Sequence, residues 1–268
     1  MRSAVQSHAA PMATCESSLK RKLLVTRRYF VSDLPSGGGT FPLCEDEARH
    51  AARVMRLQTG DSIELFDGSG HQATAAVTAI DKRSCLVTAE PSVAINREPA
   101  IQLTLAIALP KGDRAKELIE RLAELGVHAI VPLICDRSQR PPSSSQLEKL
   151  RRVVIESCKQ STRNMLMEID EARSFADWLK TAGSMEVAKC VAHPGAESLR
   201  ERASQLVDES TTASKRTPVI FVIGPEGGLT DSEVAEAQQN GFGVVGLGPR
   251  IYRIETAACL IAAQLTDC

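Results

Sequence analysis

The residues best suited by type and spacing to do chemistry stand close to the C-terminus, in "GPRIYRIETAACL". Arg250, Arg253 and Glu255 fall together there. A guanidinium can hold an anion, and a carboxylate can orient a substrate or take a proton. Thr256 and Ala257 follow at a predicted helix start, where small side chains let a ligand approach the backbone. A surface ion pair alone would be worth little, so these charges gain meaning from two glycine-rich turns nearby. One is "IGPEGGL", with Ile223, Gly224, Glu226, Gly227 and Gly228; the other is "GLGPR", with Leu247, Gly248 and Arg250. Each follows a predicted strand, and open α/β sheets bind ligands outside the carboxyl ends of their strands. Glycine tolerates positive φ and close backbone approach, so the two turns are expected to form facing walls of one pocket.

The spacing argues against a phosphate loop. A Walker loop needs a Lys directly after its last glycine and then a Ser or Thr, and no Lys stands there in either turn. A dinucleotide fingerprint belongs early in a βαβ unit, whereas these glycines come late. Glu226 in the turn would repel a polyphosphate and suits a ligand with hydroxyls, amines or a positive centre.

The elements that must position these residues fall into two patterns. From Arg28 to about residue 98, "SIELFDGSG", "HQATAAVTAI" and "SCLVTAEPSV" are short alternating runs separated by turn signals, which predicts a small β-barrel. One helix, "CEDEARHAARVMRL", interrupts it, with Ala48, Ala51, Ala52, Val54 and Met55 on the apolar side and acids at its start. "AINREPA" (94–100) reads as a polar linker. From residue 99 to 268 apolar strands alternate with helices: "IQLTLAIALP", "AIVPLI", "EVAKCVAH", "PVIFVI" and "GVVGLG" are the strands. "KGDRAKELIERLAELG", "SSSQLEKLRRVVIESCKQ" and "IETAACLIAAQL" are helices. Strands buried on both faces and alternating with helices predict an α/β fold with a parallel sheet. "PPSSS" and "DESTTASKRT" read as exposed loops.

A chain of 268 residues, 43% hydrophobic and 24% charged, suits a globular protein of two domains. The net charge of −1 announces no nucleic-acid binder, so any basic surface must be local. The eight cysteines form no C-x-x-C pair and no zinc spacing, so no metal is expected; most read as buried thiols of a reducing compartment. No apolar run is long enough to span a bilayer. Residues 1–27 are rich in Ser, Ala, Lys and Arg with one acid, Glu16. This predicts an organellar transit peptide, for a chloroplast or mitochondrion, or else a disordered tail, in which case the chain is expected to be cytoplasmic.

"FVIGPEGGLTDSEV" followed by "GLGPRIYRIETAA" resembles the signature of the ribosomal-RNA small-subunit methyltransferase E family. "RRYFV", "HAARVMRLQTGDSIELFDGSG", "LPKGDRAKELIERLAELGV", "IVPLICDRS" and "ESCKQSTR" occur in the same order as in that family. The resemblance implies an S-adenosylmethionine-dependent enzyme that methylates N3 of a uridine in small-subunit ribosomal RNA. It also implies a PUA-like barrel (28–98), a SPOUT-type parallel sheet (99–268) whose C-terminal segment threads a trefoil knot, and a homodimer. The chain departs from the family pattern where Ile254 replaces a common Thr, Lys159 a common Glu and Arg121 a common Lys.

By the same resemblance the two turns would hold S-adenosylmethionine, with Ile223, Gly224, Glu226, Gly227, Gly228, Leu247, Gly248, Arg250, Thr256 and Ala257 around it. Arg28, Arg53, Arg56, Arg137 and Arg163 would contact RNA. Arg253 would stabilise the uracil anion, and Glu255 would act as the base or orient Arg253. The competing expectation, raised by Ile254, is a non-catalytic RNA-binding protein that keeps the fold.

Overall fold

Alternate residues of the strand Ile101–Ile107 (β7) are buried into two different cores, which sets the architecture of the larger domain. Ile101, Leu103, Leu105 and Ile107 face one side of the sheet, and Ala106 faces the other. This is the two-residue period of a strand covered on both faces. The structure, a computed structural model, describes residues 27–138, 141–203, 205 and 216–266. The transit-peptide expectation lies almost wholly outside the described residues, as does most of "DESTTASKRT".

The smaller domain is a six-stranded sheet with the order β1-β3-β4-β5-β2, and β6 beside β4. Its strands are Arg28–Phe30 (β1), Gly39–Pro42 (β2), Ser62–Phe66 (β3), His71–Ile80 (β4), Cys85–Ala89 (β5) and Val93–Ala94 (β6). Pairing is antiparallel except between β1 and β3. Alternate residues of β4 and β5 close over a core with Tyr29, Leu65, Val77 and Val87.

The helix within this domain differs from expectation. It is α-helical only over Glu45–Arg49 (α1) and continues as a π turn over His50–Val54. The wider turn rotates later residues off the apolar face. Ala48 and Ala51 are buried as expected, but Val54 is 66% exposed.

The larger domain has seven strands, all parallel, in the order β10-β8-β7-β12-β11-β13 with β9 beside β8. They are β7, Ala129–Ile134 (β8), Glu168–Ile169 (β9), Arg173–Ser174 (β10), Ala188–Ser198 (β11), Thr217–Ile223 (β12) and Gly243–Gly246 (β13). Helices Asp113–Glu124 (α2), Ser144–Ser161 (α3) and Ile254–Leu265 (α6) cover one face. Phe175–Gly183 (α4) and Asp231–Gln239 (α5) cover the other. In α2 Leu118 and Leu122 are fully buried, Leu125 at its C-cap is half-buried, and α3 opens on a capping box between Ser143 and Gln146. β11 runs further than expected, to Ser198, with a register shift between Ala192 and Glu197 as it pairs with both β12 and β13.

The two domains are fastened together. α3 begins after the carboxyl end of β8 and ends at the opposite, amino-terminal edge of the sheet. There the Arg28 guanidinium donates to the carbonyls of Cys158 (2.7 Å) and Arg163 (3.3 Å) and to the Asn164 side chain, and pairs with Glu64. Lys159 reaches Glu47 of α1 at 2.5 Å, both side chains under a tenth exposed. The expected linker is part of this seam: Glu98, 3% exposed, takes two hydrogen bonds from Arg163, at 2.8 and 2.6 Å. A stretch that looks polar in sequence is polar because it pairs, not because it is solvated.

Candidate functional site

The carboxyl ends of β12 and β13 and the stretch of β11 where its register shifts converge on one cavity of about 380 Å³. Ala192, His193 and Pro194 close it on the β11 side; Ile223, Gly224, Glu226, Gly227 and Gly228 line the turn after β12. Leu247, Gly248, Arg250, Ile251 and Tyr252 line the segment after β13, and Ile254 and Ala257 the start of α6. Arg137 and Asp231 complete the wall. Gly228 has φ +73° and Gly248 φ +110°, and a Cβ on either would enter open space. Both turns therefore need a residue without a Cβ for their backbone, and both leave that backbone accessible.

The first turn is held from three sides. Arg137 donates to the Gly227 carbonyl at 2.9 Å. Thr230 caps α5, and the buried Glu233 carboxylate accepts from the Thr230 and Asp136 amides at 2.7 and 2.9 Å. Gly224 sits where a Cβ would strike Leu229 at 2.8 Å.

The third hold is Arg114, which carried no expectation in the sequence. Its Nε and Nη2 donate to the two oxygens of Glu255 at 2.5 and 2.8 Å, and its Nη1 to Glu226 at 3.0 Å. One side chain at the start of α2 thus joins the glycine turn to the start of α6. The paired guanidinium holds the Glu255 carboxyl below the usual carboxylate range. Its partner is Arg114, not Arg253.

Several sequence-derived residues lie elsewhere than expected. Arg253, at the N-cap of α6, and Thr256, in its first turn, are both exposed, and neither lines the cavity. Arg250 is exposed, stacked on Tyr252 with its Nη2 3.0 Å from the Tyr252 hydroxyl. Arg28 (2% exposed) and Arg163 (5% exposed) are buried in the seam between the domains, so neither side chain is available to a phosphate. This corrects their assignment to RNA contact: both are spent on carboxylates and carbonyls. Arg53 and Arg56 are exposed on the small domain, and Arg137 is exposed at the cavity.

His193 was missed, yet it had a signal. "AHPG" closes the expected strand "EVAKCVAH" with proline and glycine, as the other two turns close theirs, although β11 itself continues past it to Ser198 with a register shift. Its Nδ1 lies 3.0 Å from the Pro194 carbonyl. Ile254, the departure that raised a non-catalytic reading, is 3% exposed and packs in the core while touching the cavity, a place an apolar side chain suits. Among the described residues no cluster of His, Cys, Asp or Glu could hold a metal ion, and no helix is long and apolar enough to cross a membrane.

A parallel sheet with a glycine-walled cavity at its carboxyl end, joined to a small β domain, defines the class. A model described as an RNA methyltransferase domain matches residues 96–266, and one described as an RNA methyltransferase PUA domain matches residues 43–90. The chain belongs to the ribosomal RNA small subunit methyltransferase E family. It is 33% identical to the member from Bacillus subtilis, over 81% of this chain and 86% of that one. It is 32% identical to the member from Synechocystis, over 84% and 72%. Among solved structures, it resembles the Neisseria gonorrhoeae family member bound to S-adenosyl methionine with a TM-score of 0.78 and 28% identity, covering 90% of this chain and 97% of that one.

Proposed function

We propose that this protein transfers a methyl group from S-adenosylmethionine to N3 of a uridine in small-subunit ribosomal RNA. The observation that carries the reading is the cavity itself. Its apolar walls, Ile223, Leu247 and Ala257, suit an adenine, and its left-handed glycines open the backbone for hydrogen bonds. Glu226 and Asp231 suit a ligand with hydroxyls and positive charge. Ile223, Gly224, Gly228, Leu247 and Gly248 would hold the cofactor, which supplies a methyl group on a cationic sulfur.

The rest falls to this chain's residues. N3 lies on the Watson–Crick edge, so the base must be unpaired or flipped to react. Arg137 and Arg250, exposed at the cavity mouth, are suited to phosphates. Arg253 does not line the cavity but stands exposed between two residues that do, Tyr252 and Ile254, from where its guanidinium would reach the negative charge that develops on a uracil held at the rim. Glu255, locked ionised by Arg114, positions the site rather than accepting a proton.

We further propose a homodimer. The seam puts the small domain at the amino-terminal edge of the sheet, whereas the cavity opens at the carboxyl ends. Arg53 and Arg56 would then serve the cavity of a second copy more readily than their own. In the same reading the C-terminal segment threads a trefoil knot, the domain boundary falls near residue 98, and residues 1–27 address the chain to an organelle.

Calorimetric titration with S-adenosylmethionine tests the cofactor site. Binding by the wild type and its loss in Gly228→Val are expected; no binding by the wild type contradicts the reading.

A further inference from the structure

We propose that His193 is the proton acceptor for the uracil N3–H, an inference that rests on the methyltransferase reading above. A carbonyl oxygen only accepts, so the 3.0 Å contact with the Pro194 carbonyl makes Nδ1 the protonated nitrogen. Nε2 is then left as an acceptor on a half-buried ring in the cavity wall. Fixing one nitrogen as donor so that the other can accept is how imidazole bases are oriented.

The other titratable groups around the cavity are less suited. Glu226 is paired with Arg114, and Asp231 occupies the first turn of α5, where the helix terminus favours its charge. Arg137 and Arg250 are cations. The Tyr252 hydroxyl accepts from Arg250. These five groups face the cavity from the loops after β8, β12 and β13 and from α5, and none of them offers what His193 does, a neutral ring nitrogen left as an acceptor at the cavity wall.

The step balances without a metal or a redox partner. The N3–H bond breaks, its electron pair stays on N3, and the proton moves to Nε2. The N3 lone pair then forms the new bond to the methyl carbon while the sulfur keeps the electrons of the bond that breaks. The imidazolium returns its proton to solvent after product leaves.

The test uses the full chain with S-adenosylmethionine and small-subunit ribosomal RNA. Single-turnover rates are measured against pH for the wild type and for His193→Asn, with cofactor affinity read by calorimetry. The wild-type rate should fall on the acid side as the acceptor nitrogen of His193 takes up a proton from solvent. His193→Asn should lose that limb, drop about 100-fold or more near neutrality, and bind cofactor within a few-fold of wild type. A variant within about threefold of the wild-type rate, or one that keeps the acid limb, overturns the proposal. Nitrogen-15 spectra of the unmodified protein should show the Nδ1–H tautomer of His193. The Nε2–H tautomer, or a wild-type rate without an acid limb, overturns the proposal without recourse to any variant. A wild type that binds cofactor and methylates while failing these checks sinks the histidine alone; one that does neither sinks the reading beneath it.

Discussion

Arg114 grips Glu255 through two parallel hydrogen bonds, at 2.5 and 2.8 Å, and reaches Glu226 with a third at 3.0 Å. A fork of this kind is specific to arginine, whose planar donors match a carboxylate. It ties the start of α2 to the glycine turn and to the start of α6, three segments that converge beside the cavity.

Arg114→Ala should therefore loosen the turn, weakening cofactor binding and slowing methyl transfer by about tenfold each, and Arg114→Lys should recover little of either. Because the pair acts as one unit, Glu255→Gln added to Arg114→Ala should cost far less than it does alone. Fully additive losses in a double-mutant cycle would show that the contact is incidental.

The same pair sets a pH dependence of stability. Glu255 is held below the usual carboxylate range in the folded chain, so it binds a proton more readily when unfolded. Its stabilising contribution is present above that range and is lost as pH falls through the depressed folded value. Melting temperatures from neutrality down to about pH 3 should fall less steeply for Glu255→Gln than for wild type. An equal acid slope in both would remove Glu255 from the balance.

Arg253→Ala should keep cofactor affinity within a few-fold while the single-turnover rate falls by about 100-fold. A guanidinium stabilises an anion formed in the transition state and does little for a cationic sulfur. Loss of cofactor binding with an unchanged rate at saturation would move Arg253 into the cofactor pocket.

The seam between the domains makes a separate prediction. Lys159 and Glu47 are both buried; without Lys159 the Glu47 carboxylate loses its ion-pair partner, whereas without Glu47 the ammonium of Lys159 keeps Glu156 at 2.8 Å. Lys159→Ala should destabilise the protein by about 3 kcal/mol, measured by denaturant unfolding, and the double exchange Glu47→Lys with Lys159→Glu should recover part of that. A loss below about 0.5 kcal/mol in Lys159→Ala would mean the pair is solvated in solution.

Much of the fold was legible because its signals are local. The alternation of β4, the doubly buried strands β7, β8 and β12, and the serine that caps α3 are all written in short windows. The two glycine turns were legible for the same reason. What escaped depends on distant partners. Arg114 stands 141 positions from Glu255, and nothing near it in sequence marks the pairing. Arg28 and Arg163 look like exposed cations because sequence shows charge and not burial. Val54 was misplaced by the π turn, which changes the period on which a helical face is read. His193 lay in plain view, with its Nδ1 partner one residue away, but its neighbourhood to Gly224 and Leu247 exists only in the folded chain.

The most direct test of the central claim is mass spectrometry of small-subunit ribosomal RNA incubated with the purified protein and S-adenosylmethionine. The account predicts one added methyl at a single uridine, on N3, with its Watson–Crick edge blocked to reverse transcription and the gain absent in Gly228→Val. Unmodified RNA, or a methyl found on a ribose or on another base, would contradict it.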